Sequence, residues 1–231
     1  MWRLLAACNP DPGEIAESVG YRDGDPVEDG YSAERGTVKI TEIGWAGAAT
    51  TLGVWDPTDS FVELRNEGAH PLDVGGWLLV VNGTDPVTVV IPAVGREIQP
   101  GEHAFFAGKL SGCYPEPDGV MPELRFPRGG DPFSLTLRDR DERLVETVGN
   151  VNEPPFAGGW DGDRVRSMER AELMFGADGG LPASWHFYTP ATVDIPNDDR
   201  ISIACRGATF ASPGRPNSPD YSGSYSSGSL E

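Results

Sequence analysis

Ser134-Leu135-Thr136-Leu137-Arg138 alternates apolar and polar residues without a break, turns through the polar stretch Asp139 to Glu142, and returns as Leu144 to Val148. A side chain on every second position facing one way is the signature of a half-buried strand, so this segment reads as a hairpin. Working outward, the same period of two recurs. Val38 and Ile40 alternate with Lys39 and Thr41 and run on to Ile43 and Trp45, and Phe61 to Asn66 places Val62 and Leu64 on one face. Gly76-Trp77-Leu78-Leu79-Val80-Val81 is apolar throughout, which predicts a strand covered on both sides. A turn at Asn82-Gly83 leads into Val87 to Ile91, and Gln99-Pro100-Gly101 punctuates the chain before a strand over His103 to Ala107. Val165 to Glu169 and Arg200 to Cys205 complete the expected set. Only Glu169 to Phe175 carries a helical signal, worth two turns. Short strands at turn-rich spacing predict an all-β, immunoglobulin-like antiparallel β-sandwich with long loops over Lys109 to Arg128, Val151 to Asp163 and Gly176 to Ala183.

Composition agrees. Gly (30) and Pro (21) make about a fifth of the 231 residues. Acidic residues number 36 against 18 Lys and Arg, a net charge of −18, which repels a phosphate backbone and sets nucleic acid aside as a partner. No apolar run approaches the length of a membrane-spanning helix. No phosphate-binding glycine loop, zinc-binding helix motif or nucleophile elbow is present, and Ser111 lacks the neighbours such an elbow needs.

The amino terminus has a separate character. Arg3-Leu4-Leu5-Ala6-Ala7-Cys8 resembles the end of a lipoprotein signal whose lipobox is Leu5-Ala6-Ala7-Cys8, with translation starting upstream of Met1. The resemblance implies a lipid on Cys8, export and a membrane anchor in the bacterial envelope. Residues 9–36, rich in Asp, Glu, Gly and Pro, read as a disordered acidic linker, and residues 219–231 as a flexible tail. With Cys8 assigned to lipid, Cys113 and Cys205 remain. Two cysteines in an exported domain suggest one disulfide, the alternative being two unrelated thiols.

Four segments in order resemble the bacterial lamin tail domain: Val38 to Ile43; Phe61 to Asn66 with Leu72 to Trp77; Ile98 to Glu102; and Ser167 to Arg170, then Ser184-Trp185, then Ser212-Pro213-Gly214-Arg215-Pro216-Asn217-Ser218. They span residues 37–218. The resemblance implies an immunoglobulin-like sandwich that binds or tethers without catalysing, and it places Trp77 and Trp185 in the core.

Several residues have two readings. Glu42, Glu63 and Glu169 lie on strands that match the family pattern. They are read as structural carboxylates, Glu63 satisfying backbone donors or pairing with Arg170 or Arg65, or alternatively as the acid/base or metal-binding groups of a calcium- or manganese-dependent hydrolase. Asp139 with Asp141, Asp161 with Asp163, and Asp194 with Asp198 and Asp199 are weak calcium candidates or ordinary solvated turns. Trp45, Trp55 and Trp160, in loops beside Gly and Asp, either stack on a sugar or anchor a protein partner, or plug the ends of the sandwich. The favoured expectation is a lipid-anchored module that contacts a protein or glycan through loops 46–59 and 109–128, with no cofactor required.

Overall fold

The computed structural model describes residues 35–161, 164–171, 178–189 and 200–219. In chain order the strands are β1 (Val38–Gly44), β2 (Ala48–Ala49), β3 (Trp55–Asp56), β4 (Phe61–Asn66), β5 (Leu78–Asn82), β6 (Val87–Val90), β7 (His103–Ala107), β8 (Gly119–Val120), β9 (Phe133–Arg138), β10 (Leu144–Asn150), β11 (Gly159–Asp161), β12 (Arg164–Arg166), β13 (Met168–Arg170), β14 (Trp185–Phe187) and β15 (Thr209–Phe210). The protein is all-β among the described residues apart from two single 3₁₀ turns. Several mostly antiparallel sheets pack together as a sandwich. A six-stranded sheet runs β14-β13-β1-β4-β7-β8, and a four-stranded sheet runs β10-β9-β5-β6. Smaller sheets, β11-β12-β15 and β2-β3, lie beside them in the chain's loops.

The inner faces of the two large sheets make the main core. Val38, Ile40, Ile43, Val62 and Leu64 of the first share one cluster with Leu79, Val81, Leu135 and Leu137 of the second, and Trp77 is fully buried among them. The spacing from Ile40 to Ile43 is odd, which would turn Ile43 away from the core. A β-bulge resolves this: Ile40 pairs with Leu64 and Glu42 with Glu63, leaving Thr41 as the extra residue. The bulge returns Ile43 to the core and sends Glu42 to the opposite face.

That opposite face is also covered. Phe61 of β4 and Phe105 of β7 join Ala48, Cys113, Tyr114, Ile201, Cys205 and Ala211 in a second buried cluster. The Cys113–Cys205 disulfide, with Cα atoms 5.6 Å apart, ties the loop after β7 to the segment before β15 across 92 residues. In the chain-entropy picture a closed loop of that length contributes about 4 to 5 kcal/mol by restricting the unfolded chain.

The structure corrects four sequence expectations. The run Leu78 to Val81 is buried on one side only. Leu79 and Val81 face the core while Leu78 and Val80 are half-buried, because nothing among the described residues covers the outer face of the four-stranded sheet. Residues 201–205 form turns, not a strand, since Ser202 N–H donates to Cys113 and Cys205 N–H turns back on Ser202. The stretch Val165 to Glu169 breaks at Ser167, and its halves join different sheets. Glu169 and Arg170, expected in a helical turn, are strand; residues 172–175 lie outside the described residues. So do Cys8, linker residues 9–34, tail residues 220–231, Asp163, Asp194, Asp198 and Asp199, together with the side chain of Asp161.

Candidate functional site

The three glutamates do come together. Register places Glu42 opposite Glu169 on β13 and opposite Glu63 on β4, so one row of carboxylates crosses three neighbouring strands. Like charges in directly opposed positions repel, and all three are completely buried. Their cover is the closing segment 211–218. Glu42 Oε1 accepts from Ser167 Oγ at 2.6 Å and from Ser212 N–H at 2.8 Å, and Ser212 Oγ lies 3.3 Å from Glu42 Oε2. The Ser212 hydroxyl also bonds to Glu169 Oε1. Glu169 Oε2 accepts from Ser218 through its N–H, at 3.0 Å, and its hydroxyl. Glu63 accepts from Thr41 at 2.6 Å and from Gly214 N–H at 2.6 Å, and sits 2.8 Å from His103 Nδ1. Asn217 adds side-chain bonds to the carbonyls of Thr41 and Arg170.

Burial holds the Glu42 carboxyl well above the usual range, helped by the charges of Glu169 and Glu63 and opposed by its bonds to Ser167 and Ser212. Burial likewise pushes Glu169 up to about 7, against the hydrogen bonds from Ser212 and Ser218. The row is thus a clasp that retains a proton into the neutral range, sealed from any solute. Glu63 finds its partners in Thr41, His103 and Gly214, not in the expected arginines. Arg170 pairs instead with Glu146 at 3.3 Å and lies over Trp185, and Arg65 pairs with Glu67.

The calcium candidates have local roles. Asp139 is fully buried, and its Oδ1 accepts the N–H groups of Asp141 and Arg143, which closes the β9–β10 hairpin. Asp141 pairs with Arg143 at the surface. Among the described residues no group of three His, Cys, Asp or Glu side chains is placed to hold a metal ion.

The three tryptophans, by contrast, line one groove of about 320 Å³ together with Phe126 and Arg128. It draws on both loops expected to carry binding, the 46–59 loop supplying Trp55 and the 109–128 loop Phe126 and Arg128, and on a third region, 151–163, which supplies Trp160. Trp45 divides from its companions. It packs against the main core and Phe133, and its Nε1–H donates to Ala157 O at 2.8 Å, so it plugs the end of the sandwich. Trp55 and Trp160 remain 43% and 42% exposed, their rings 5.9 Å apart and edge to face. Trp55 Nε1–H donates to Ala46 O, which fixes the indole plane.

Glycine geometry shapes the groove. Gly158 and Gly159 have φ of +75° and +108°, and a Cβ on either would come within 2.9 Å of the Trp45 ring. Only a residue without a side chain lets Trp45 seat there. Across the groove a Cβ on Gly129 would meet nothing within 4 Å, which leaves open space beside Arg128.

Sequence reasoning singled out the indoles but missed Phe126, Arg128 and the Gly158-Gly159 seat. It also missed the hydroxyl and amide donors of the clasp, although Ser212, Gly214 and Ser218 were all present in the closing motif.

No protein-family model matches this chain, and a comparison with curated proteins returns no match.

Proposed function

We propose that this chain is a non-catalytic binding or tethering module of the cell envelope, held to a membrane by lipid on Cys8 and presenting a lamin-tail-like sandwich for contacts with a protein or glycan. One observation carries the reading: three regions far apart in sequence converge on a single groove whose two outer indoles, Trp55 held by its bond to Ala46 and Trp160 edge to face against it, are left partly uncovered. Exposed large aromatics cost solubility and serve best as contact groups. The carboxylates that a hydrolase would need are instead sealed beneath residues 211–218. A disulfide suits an exported domain.

The test is cosedimentation of the purified protein with envelope fragments from its native host, comparing wild type with the Trp55→Ala/Trp160→Ala double variant. Wild type pellets with the fragments and the double variant stays in the supernatant at unchanged melting temperature. Equal pelleting of the two proteins overturns the reading. Radiolabelled palmitate incorporated by wild type and lost in Cys8→Ala tests the anchor; equal label in both overturns that part.

A further inference from the structure

Resting on the binding role assigned to the aromatic groove, the geometry points to its ligand as an acidic saccharide: a pyranose ring stacked on Trp55 and Trp160, with a ring carboxylate paired to Arg128.

Charge is the first argument. The chain carries 36 acidic residues and a net charge of −18, yet none of the described residues that line the groove is acidic. Among the described lining residues the one with a charged side chain is Arg128. Several arginines elsewhere sit beside carboxylates: Arg96 with Glu102 and Asp118, Arg140 with Asp73, Arg143 with Asp141, Arg170 with Glu146. Arg128 is exposed and has no such partner among the described residues. An unmatched guanidinium offers a planar pair of donors shaped for a carboxylate. The same charge disfavours a quaternary ammonium, the other ligand that aromatic walls favour. Negative charge elsewhere on the surface is screened beyond about 10 Å at 0.1 M salt, so the local cation governs the groove.

Shape is the second argument. A volume of about 320 Å³ is that of a small-ligand cleft, not of a protein–protein interface, which needs a broad complementary patch. The electron-rich faces of two exposed indoles attract the polarised C–H groups on the flat side of a pyranose. Because Trp55 and Trp160 stand edge to face, the groove has a floor and a wall. The open space at Gly129, next to Arg128, leaves room for a substituent to project from the ring.

The experiment is ligand-observed NMR titration with two matched pairs of disaccharides: glucuronate-β-1,4-glucose against cellobiose, and galacturonate-β-1,4-glucose against lactose. Each pair differs only in a carboxylate for a hydroxymethyl group. At least one acidic member binds about tenfold tighter than its neutral partner, the ratio a single charge-assisted contact gives. Arg128→Gln, an exposed substitution that leaves the fold intact, abolishes that ratio. Trp55→Ala abolishes binding of both members. Equal binding of acidic and neutral members, no binding of any of the four at millimolar concentration, or a ratio that survives Arg128→Gln overturns the inference. If the inference fails while cosedimentation still depends on Trp55 and Trp160, the binding role stands and only the ligand class falls. Loss of both overturns both.

Discussion

Raising the pH from 5 to 8 should destabilise this protein, contrary to the behaviour of domains whose carboxylates are ion-paired. Glu169 is raised from 4.5 to about 7 by burial, which outweighs its bonds to Ser212 and Ser218. Between those values the folded state holds a proton that the unfolded state has released. Stability therefore falls as pH rises through that window, is fully present below about 4.5, and levels off above about 7. At about 1.4 kcal/mol per pH unit, the loss is about 3 kcal/mol. For a domain of this size that lowers Tm by about 6 to 12 °C. Glu42, Glu146 and Asp59 are raised by burial as well and act in the same direction. Asp56, lowered to about 2 by Lys109 and Thr58 against a desolvation that raises it, acts only in strong acid. The groups facing Glu169 are Glu42, His186 at 3.9 Å, and the hydroxyls of Ser212 and Ser218, with the charge of Glu63 in the same row also raising it.

General repulsion among surface acids also grows with pH, and two controls separate it. At 0.5 M NaCl surface repulsion is screened while the buried row is not. Glu42→Gln mimics the protonated side chain: its amide oxygen accepts from Ser167 and Ser212, and its NH₂ donates to the Ser212 hydroxyl. This variant should match wild type at pH 5 and exceed it at pH 8. The assay is thermal unfolding by circular dichroism at pH 5, 6, 7 and 8 in low and high salt. A wild-type Tm at pH 8 equal to or above that at pH 5 in high salt refutes the reasoning, as does a Glu42→Gln variant less stable than wild type at pH 8.

Three further outcomes are expected. Reduction of the Cys113–Cys205 bond should cost about 4 kcal/mol in the chain-entropy picture, read as a lower urea midpoint in the presence of a phosphine and reversed on reoxidation. Gly159→Ala should displace Trp45 and cost about 1 to 3 kcal/mol, since it combines strain at φ +108° with a Cβ 2.8 Å from the indole, and near-ultraviolet circular dichroism should show the indole's altered setting. Calcium or manganese up to 1 mM should leave Tm unchanged within a degree; a rise of several degrees would revive the hydrolase reading.

Much of the fold was legible because period-two patterning reports which side of a strand meets the core. The β9–β10 hairpin, β4 and β7 follow directly from it. The pattern misleads where the second face has its own cover. Phe61, Glu63 and Phe105 look outward-facing in sequence but lie under segments from far along the chain. The bulge at Thr41 shifts the phase of β1 and leaves no mark beyond the odd spacing of Ile40 and Ile43. Conversely, Leu78 and Val80 are as apolar as their neighbours and yet half-buried. At the groove, the tryptophans were visible as aromatics in loops, but their convergence is a property of three connections whose paths no local rule predicts.

The clasp has a consequence for biosynthesis. Ser212, Gly214 and Ser218 are made after every strand they lock, so a ribosome that stalls before residue 218 leaves a nascent chain with three acids and an aromatic layer uncapped. The molecule thereby carries its own mark of completion. Only a finished domain is sealed, and an unfinished one presents the kind of surface that chaperones and proteases engage.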